Sequence, residues 1–195
     1  MKSIVSIALV STALFFSSCA AHKVERVDVN EKIDLSGNWN DTDSRSVADD
    51  MVTQILSGGW LESYTAANPG KKPIVVVGLV YNKSHEHIDA DTYIKDVEKA
   101  FINSGKVRLV QAGDKREELR KERAGQQEFA SQETAKNWGK ELGADFLLTG
   151  DINSIVDQYK KEKVIYYQVN LNLSSIETNE VVWIGDKKIK KYINK

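Results

Sequence analysis

The sequence predicts an α/β chain of α+β-like character: a mixed sheet of about five strands, βαβαβ followed by an antiparallel meander, with helices packed on the sheet. Three observations predict it. PIVVVGLVYN (73–82) is a long β-branched apolar run of the kind found in strands covered on both faces. Helix-period segments separate it from two further short apolar runs, KVRLV (106–110) and FLLTGDI (146–152). From Ile165 to Leu173 the period changes to two, with Ile165, Tyr167, Val169, Leu171 and Leu173 alternating with Tyr166, Gln168, Asn170 and Asn172.

The first element is DTDSRSVADDMVTQILSGGW. Asp41, Thr42, Asp43 and Ser44 offer N-caps, and Asp49 and Asp50 lie towards the positive end of the helix dipole. Val47, Met51 and Ile55 align with Ala48, Val52, Leu56 and Trp60 as one apolar stripe, and Gly58-Gly59 is a stop. Asn68-Pro69-Gly70 breaks the chain before the first strand. A helix follows over 91–103, with Tyr93, Ile94, Val97, Ala100 and Phe101 inward and Gly105 ending it. Lys115 to about Gln127 (KREELRKERAGQQ) is charged and helix-prone, and Gln132–Leu142 is a further helix with Ala135, Trp138 and Leu142 at core spacing. Right-handed crossovers make the first three strands parallel. Glu177-Thr178-Asn179-Glu180 then turns the half-exposed strand into VVWIG, Asn179 being a residue that tolerates a left-handed conformation. The basic tail KKIKKYINK is expected to fray.

The N-terminus has a different logic. Lys2 is followed by the apolar run Ile4–Phe16, then Ser17, Ser18 and Cys19, the only cysteine of the 195 residues. This is the order of an export signal. The run is shorter than the ~20 residues that span a bilayer as a helix. It resembles a bacterial lipobox, with Phe16 where Leu is usual, and so implies cleavage before Cys19 and acylation of its thiol. The domain reading is a signal peptide over 1–18, a lipidated N-terminus and flexible tether over 19–40, and one globular domain over 41–195. Ala20 rather than Asp after the cysteine favours the outer membrane, facing the periplasm. The tether would reach at most ~70 Å fully extended and about 25 Å as a coil.

Composition narrows the function class. With 27 basic and 28 acidic residues the net charge is −1, which gives no footprint for nucleic acid. A single cysteine excludes an intramolecular disulfide and a Cys-rich metal site. No P-loop, GxGxxG or GxSxG sequence occurs, so no cofactor, small-molecule substrate or catalytic residue is expected. The most chemical stretch is SHEHIDAD (84–91). His85 and His87 beside carboxylates resemble a zinc pattern, but the other histidine is His22 in the tether. The alternatives are a solvated loop whose Asp89 or Asp91 caps the next helix, or a protein contact. Candidate interaction residues are therefore His85, Glu86 and His87, with Arg116, Arg120 and Arg123 of the charged helix. Trp60 reads as core, and Trp39 is open between core and interface. The oligomeric state stays open.

Several segments taken together carry a family resemblance: RKERAGQQ, SQETAKNWGKELGADFLLTGDI, YQVNLNLSSIETNEVVWIG and VYNKSHEHIDADTYIKDVEKAFINSGKVRLV. They resemble the LpoB family of penicillin-binding protein activators over about residues 44–190. The GKELGAD–FLLTGDI junction and the ET-x-E-VVW hairpin are the most specific pieces. The resemblance implies a non-enzymatic outer-membrane lipoprotein that docks on a class A penicillin-binding protein and stimulates its glycan polymerisation and cross-linking. The long Pro-rich linker of the best-known members is missing from the 19–40 tether. The alternative is an envelope-assembly or secretion-associated lipoprotein adaptor, on a fold like the TolB N-terminal domain or the curli secretion lipoprotein, with no synthase partner.

Overall fold

The first helix begins where Asn40, not one of the expected caps Asp41 to Ser44, closes a reciprocal cap. In the structure, a computed structural model describing residues 24–129 and 143–194, α1 spans Asp41–Leu56. The side chain of Asn40 accepts from the Asp43 N–H at 3.1 Å, and the Asp43 carboxylate accepts from the Asn40 N–H at 3.0 Å. That capping box satisfies two of the orphan N–H groups of the first turn. Cys19, the signal segment and the helix expected over 132–142 lie outside the described residues.

The remaining described helices are α2 (Gly59–Ala67), α3 (Ala90–Ser104) and α4 (Gly113–Phe129). α2 is an element that the sequence does not predict, since Gly58-Gly59 reads as a stop and Trp60 as the end of the α1 stripe. Gly58 does end the stretch begun by α1, but it also serves as the N-cap of α2. Trp60 therefore sits in a second helix, buried, with its indole N–H donating to the Ile55 carbonyl at 2.6 Å. α3 is capped by Asp89, whose carboxylate accepts from the N–H groups of Asp91 and Thr92, and Gly105 closes it in the left-handed region at φ 63°.

Five strands form one sheet in the order β2-β1-β3-β4-β5. They are β1 (Ile74–Asn82), β2 (Arg108–Val110), β3 (Phe146–Tyr159), β4 (Glu162–Ser175) and β5 (Val181–Asn194). β1 pairs in parallel with β2 and β3, and β3-β4-β5 is an antiparallel meander. α1 packs on α3 and β5, and α3 on β1. The core beneath them holds Val47, Met51 and Ile55 from α1, Tyr93, Val97 and Phe101 from α3, and Ile165, Tyr167, Val169, Leu171 and Leu173 from β4. Asp145, at the head of β3, ties three elements together. Its side chain accepts from the Tyr64 hydroxyl at 2.9 Å and the Ile74 N–H at 2.8 Å, and its carbonyl accepts from the Ile176 N–H at 2.9 Å.

Three expectations need correction. β1 is covered on both faces only through Val75–Val77; past the irregularity between Val77 and Val80 the strand alternates, with Val80 buried and Leu79 and Tyr81 exposed on the other face. β3 continues past Ile152 to Tyr159. The basic tail does not fray, since β4 offers a partner along its whole length, out to Glu162 opposite Asn194. Within that tail, Ile189 and Ile193 pack on the core, while Lys187 and Lys191 meet Asp50 at 2.5 Å and Asp43 at 2.6 Å, both on α1.

Chain contacts divide residues up to Glu31 from Lys32 onward. The described part of the first unit, 24–31, holds an exposed turn in which the N–H of Glu31 donates to the Asp28 carbonyl at 3.0 Å. In the second unit, residues 34–40, assigned from sequence to the tether, are not free chain: Trp39 packs edge-on against Tyr167 with ring centroids 5.5 Å apart.

Candidate functional site

The loop between β1 and α3 carries the histidine-rich stretch, and its shape follows from short polar residues that bond to nearby backbone. Asn82 donates to the carbonyls of Glu86 and Ile88 and accepts from the Ser84 N–H. Ile88 is buried beneath the loop, and the Lys83 N–H donates to the Ile152 carbonyl at 2.8 Å, extending the β1–β3 contact by one residue.

Alternation along this loop separates the candidates that sequence grouped together. Glu86 turns inward, its side chain only 12% exposed. One carboxylate oxygen accepts from the Tyr167 hydroxyl at 2.6 Å and the other from the Trp39 backbone N–H at 3.0 Å. Burial, and then the Glu86 carboxylate beside it, push the Tyr167 phenol well up, so it stays a donor. His85 lies at the surface, stacked on Tyr167 with centroids 6.3 Å apart. Its Nδ1 is 2.6 Å from Ser154 Oγ and its Nε2 is 3.1 Å from Glu86. Ser154 Oγ already accepts from the His85 backbone N–H at 2.9 Å. The cluster is therefore a clamp joining the loop to β3 and β4, with both ring nitrogens engaged. His87 is exposed. Among the described residues no three His, Cys, Asp or Glu side chains are placed to share a metal ion.

Arg116, Arg120 and Arg123 recur at spacings of four and three along α4, one face of that helix, with Arg120 3.2 Å from Glu117. They stand on the crossover from β2 to β3, an element separate from the histidine loop. The open face of the meander carries a polar ladder. The Tyr166 hydroxyl donates to Gln168, Gln168 to Asn170 and Asn170 to Asp151, which also receives Asn153 and Lys83. Burial raises the Asp151 carboxyl, but the donors Asn170, Lys83 and Asn153 outweigh it and hold it below the usual range.

Trp39, Tyr167 and Ser154 are the participants in this clamp that the sequence does not place there. One signal was available. Period two places Tyr167 inside, and a buried phenol seeks an acceptor; Glu86 supplies it across 81 residues of sequence.

Comparison with known proteins places the chain in a family. The family model described as peptidoglycan-synthase activator LpoB matches residues 43–189. Among solved structures, the chain is similar to the LpoB C-terminal domain from Salmonella enterica, at 15% identity and TM-score 0.44, covering 75% of this chain and 98% of that one. It is similar to the LpoB C-terminal domain from Escherichia coli, at 15% identity and TM-score 0.43, covering 78% and 99%. It is also similar to lipoprotein GNA1162 from Neisseria meningitidis, at 13% identity and TM-score 0.40, covering 63% and 84%. No curated protein matches.

Proposed function

From the premise that this chain belongs to the LpoB family of peptidoglycan-synthase activators, we propose that it is a lipid-anchored, non-catalytic activator of a class A penicillin-binding protein. The observation that carries the reading is the extent of the family match, residues 43–189, which takes in every described helix and strand except the first two residues of α1 and the last five of β5. In this reading Cys19 bears the acyl chains and holds the protein at the outer membrane, facing the periplasm. A single acyl chain anchors only marginally and two or more hold stably.

Activation by docking needs contacts that differ between the synthase's inactive and active states. The candidates for such contacts are His85 and His87, exposed on the loop, and Arg116, Arg120 and Arg123 on α4, of which Arg120 is exposed and the other two are partly buried. Glu86 contributes from beneath by fixing the loop. The direct test is a photo-crosslinker placed at position 87 or 116 of the full-length chain in its own cells, followed by identification of what it captures. Recovery of a class A synthase supports the reading. Recovery of secretion or envelope-scaffold proteins with no synthase overturns it in favour of an assembly adaptor.

A further inference from the structure

We infer that residues 34–40 form a releasable strap, clasped at two separate points of the fold, that couples the histidine loop to the length of the anchor-side chain. The strap contains no helix or strand; exposed local hydrogen bonds, Asn40 to Asp34 at 2.6 Å and the Asn38 N–H to Ser36 at 3.2 Å, shape it, and tertiary contacts fix it to the fold, the situation in which a segment opens at low cost. Leu35 within it is 94% exposed.

Its far clasp is Lys191 of β5. The ammonium donates to Asp34 at 2.9 Å and to the Asn38 carbonyl at 3.0 Å, while also meeting Asp43 of α1 at 2.6 Å. Between those two contacts Gly37, at φ 74°, lies against Ile193 so closely that a Cβ would come within 2.4 Å of that side chain. The near clasp is Glu86, which receives the Trp39 N–H, with the Trp39 indole N–H donating to Ser44 at 2.8 Å. Glu86 is also the residue that shapes the loop through Tyr167 and His85. One carboxylate thus serves both the strap and the loop.

Two consequences follow. Loosening the loop removes the Glu86 bond of the near clasp, and loosening Lys191 removes one of the restraints that keep Trp39 beside Glu86; coupling of this kind is reciprocal. Release also frees about seven residues, which adds up to roughly 24 Å of reach at full extension.

The test is residue-resolved hydrogen exchange on the full chain in detergent micelles, comparing wild type with Asp34→Asn, Lys191→Met and Glu86→Gln. Altering the far clasp should raise exchange about tenfold or more at the Trp39 amide and, across the gap, at the His85 and Ile88 amides. Glu86→Gln should raise exchange at Asn38 and Asn40. The amides of Ile152 and Val169 in the sheet should keep their protection. If Lys191→Met loosens the sheet as well, Asp34→Asn decides, since Asp34 is exposed and its loss leaves the core intact. Changes confined to the residues each variant touches, or a wild-type strap that exchanges as freely as unfolded chain, would overturn the coupling.

Discussion

Lys191, fourth from the end of β5, stands 2.6 Å from the carboxylate of Asp43 in the first turn of α1, and its side chain is only 12% exposed. The pair pins the last strand to the first helix. It also closes the Asn40–Asp43 capping box from the sheet side.

Replacing Lys191 by Met should therefore destabilise the domain by about 1–2 kcal/mol at neutral pH. That lies between the small worth of an exposed pair and the larger cost of stranding a buried charge. The pH dependence has a definite sign. Burial pulls the Lys191 pKa down, but hydrogen bonds to Asp43 and Asp34 outweigh it and the net shift is upward from 10.5. This part of the stability is complete below that value and is lost as pH rises through the folded pKa. Asp34 is lowered from 3.8 by its hydrogen bond to Lys191 and the adjacent ammonium. Its part is complete above 3.8 and is lost as pH falls through the folded pKa. Urea melts across pH should show the wild-type advantage over Lys191→Met widest between those limits and shrinking at both ends.

Gly150 faces the backbone of β4 so closely that a Cβ would lie 2.1 Å from the Asn170 carbonyl oxygen. The obstacle is backbone rather than a flexible side-chain tip, so the strands must part. Gly150→Ala should cost about 2–3 kcal/mol, at the upper end of overpacking changes. A denaturant midpoint unchanged from wild type would contradict the register described.

Tyr93 is fully buried, yet its hydroxyl finds no hydrogen-bond partner among the described residues. Burial, with Asp96 nearby, pushes its phenol well up, so it is neutral. An unpaired buried hydroxyl costs about 1–3 kcal/mol. Tyr93→Phe should accordingly be neutral or raise stability by up to about 1 kcal/mol, read as a rise in melting temperature. A loss of that size would mean the hydroxyl has a partner.

Much of this architecture was legible because one period dominated each segment. The stripe of Val47, Met51 and Ile55, the alternation from Ile165 to Leu173 and the Asn179 turn, at φ 61°, follow directly from side-chain spacing. Two strand lengths did not. Past Ile152, β3 reads Asn-Ser-Ile-Val-Asp-Gln, and past Gly185, β5 reads Asp-Lys-Lys-Ile-Lys-Lys. Such stretches are strand only because a paired neighbour fills their hydrogen bonds, a tertiary override of weak local preference. The histidine loop was found, but not its inner member. Nothing local says that Glu86 points in, because its partners Trp39 and Tyr167 are 47 and 81 residues away. The strap was hidden for the same reason, since Gly37 and Trp39 sit in a polar, aperiodic segment.

The proposed lipid anchor makes Cys19→Ala a separation of location from fold. The variant should leave the membrane fraction for the soluble one and lose the mass of its acyl chains, with the domain's melting temperature unchanged. An unmodified thiol on membrane-bound wild-type protein would contradict lipidation at that residue.

The central claim, docking on a synthase, is tested most directly by the glycan-polymerisation rate of purified class A synthases from the same organism, measured with and without the full-length protein in detergent. The account predicts a several-fold rise for at least one synthase, reduced when His87 and Arg116 are replaced together by alanine. Unchanged rates and no binding across all of those synthases would contradict it.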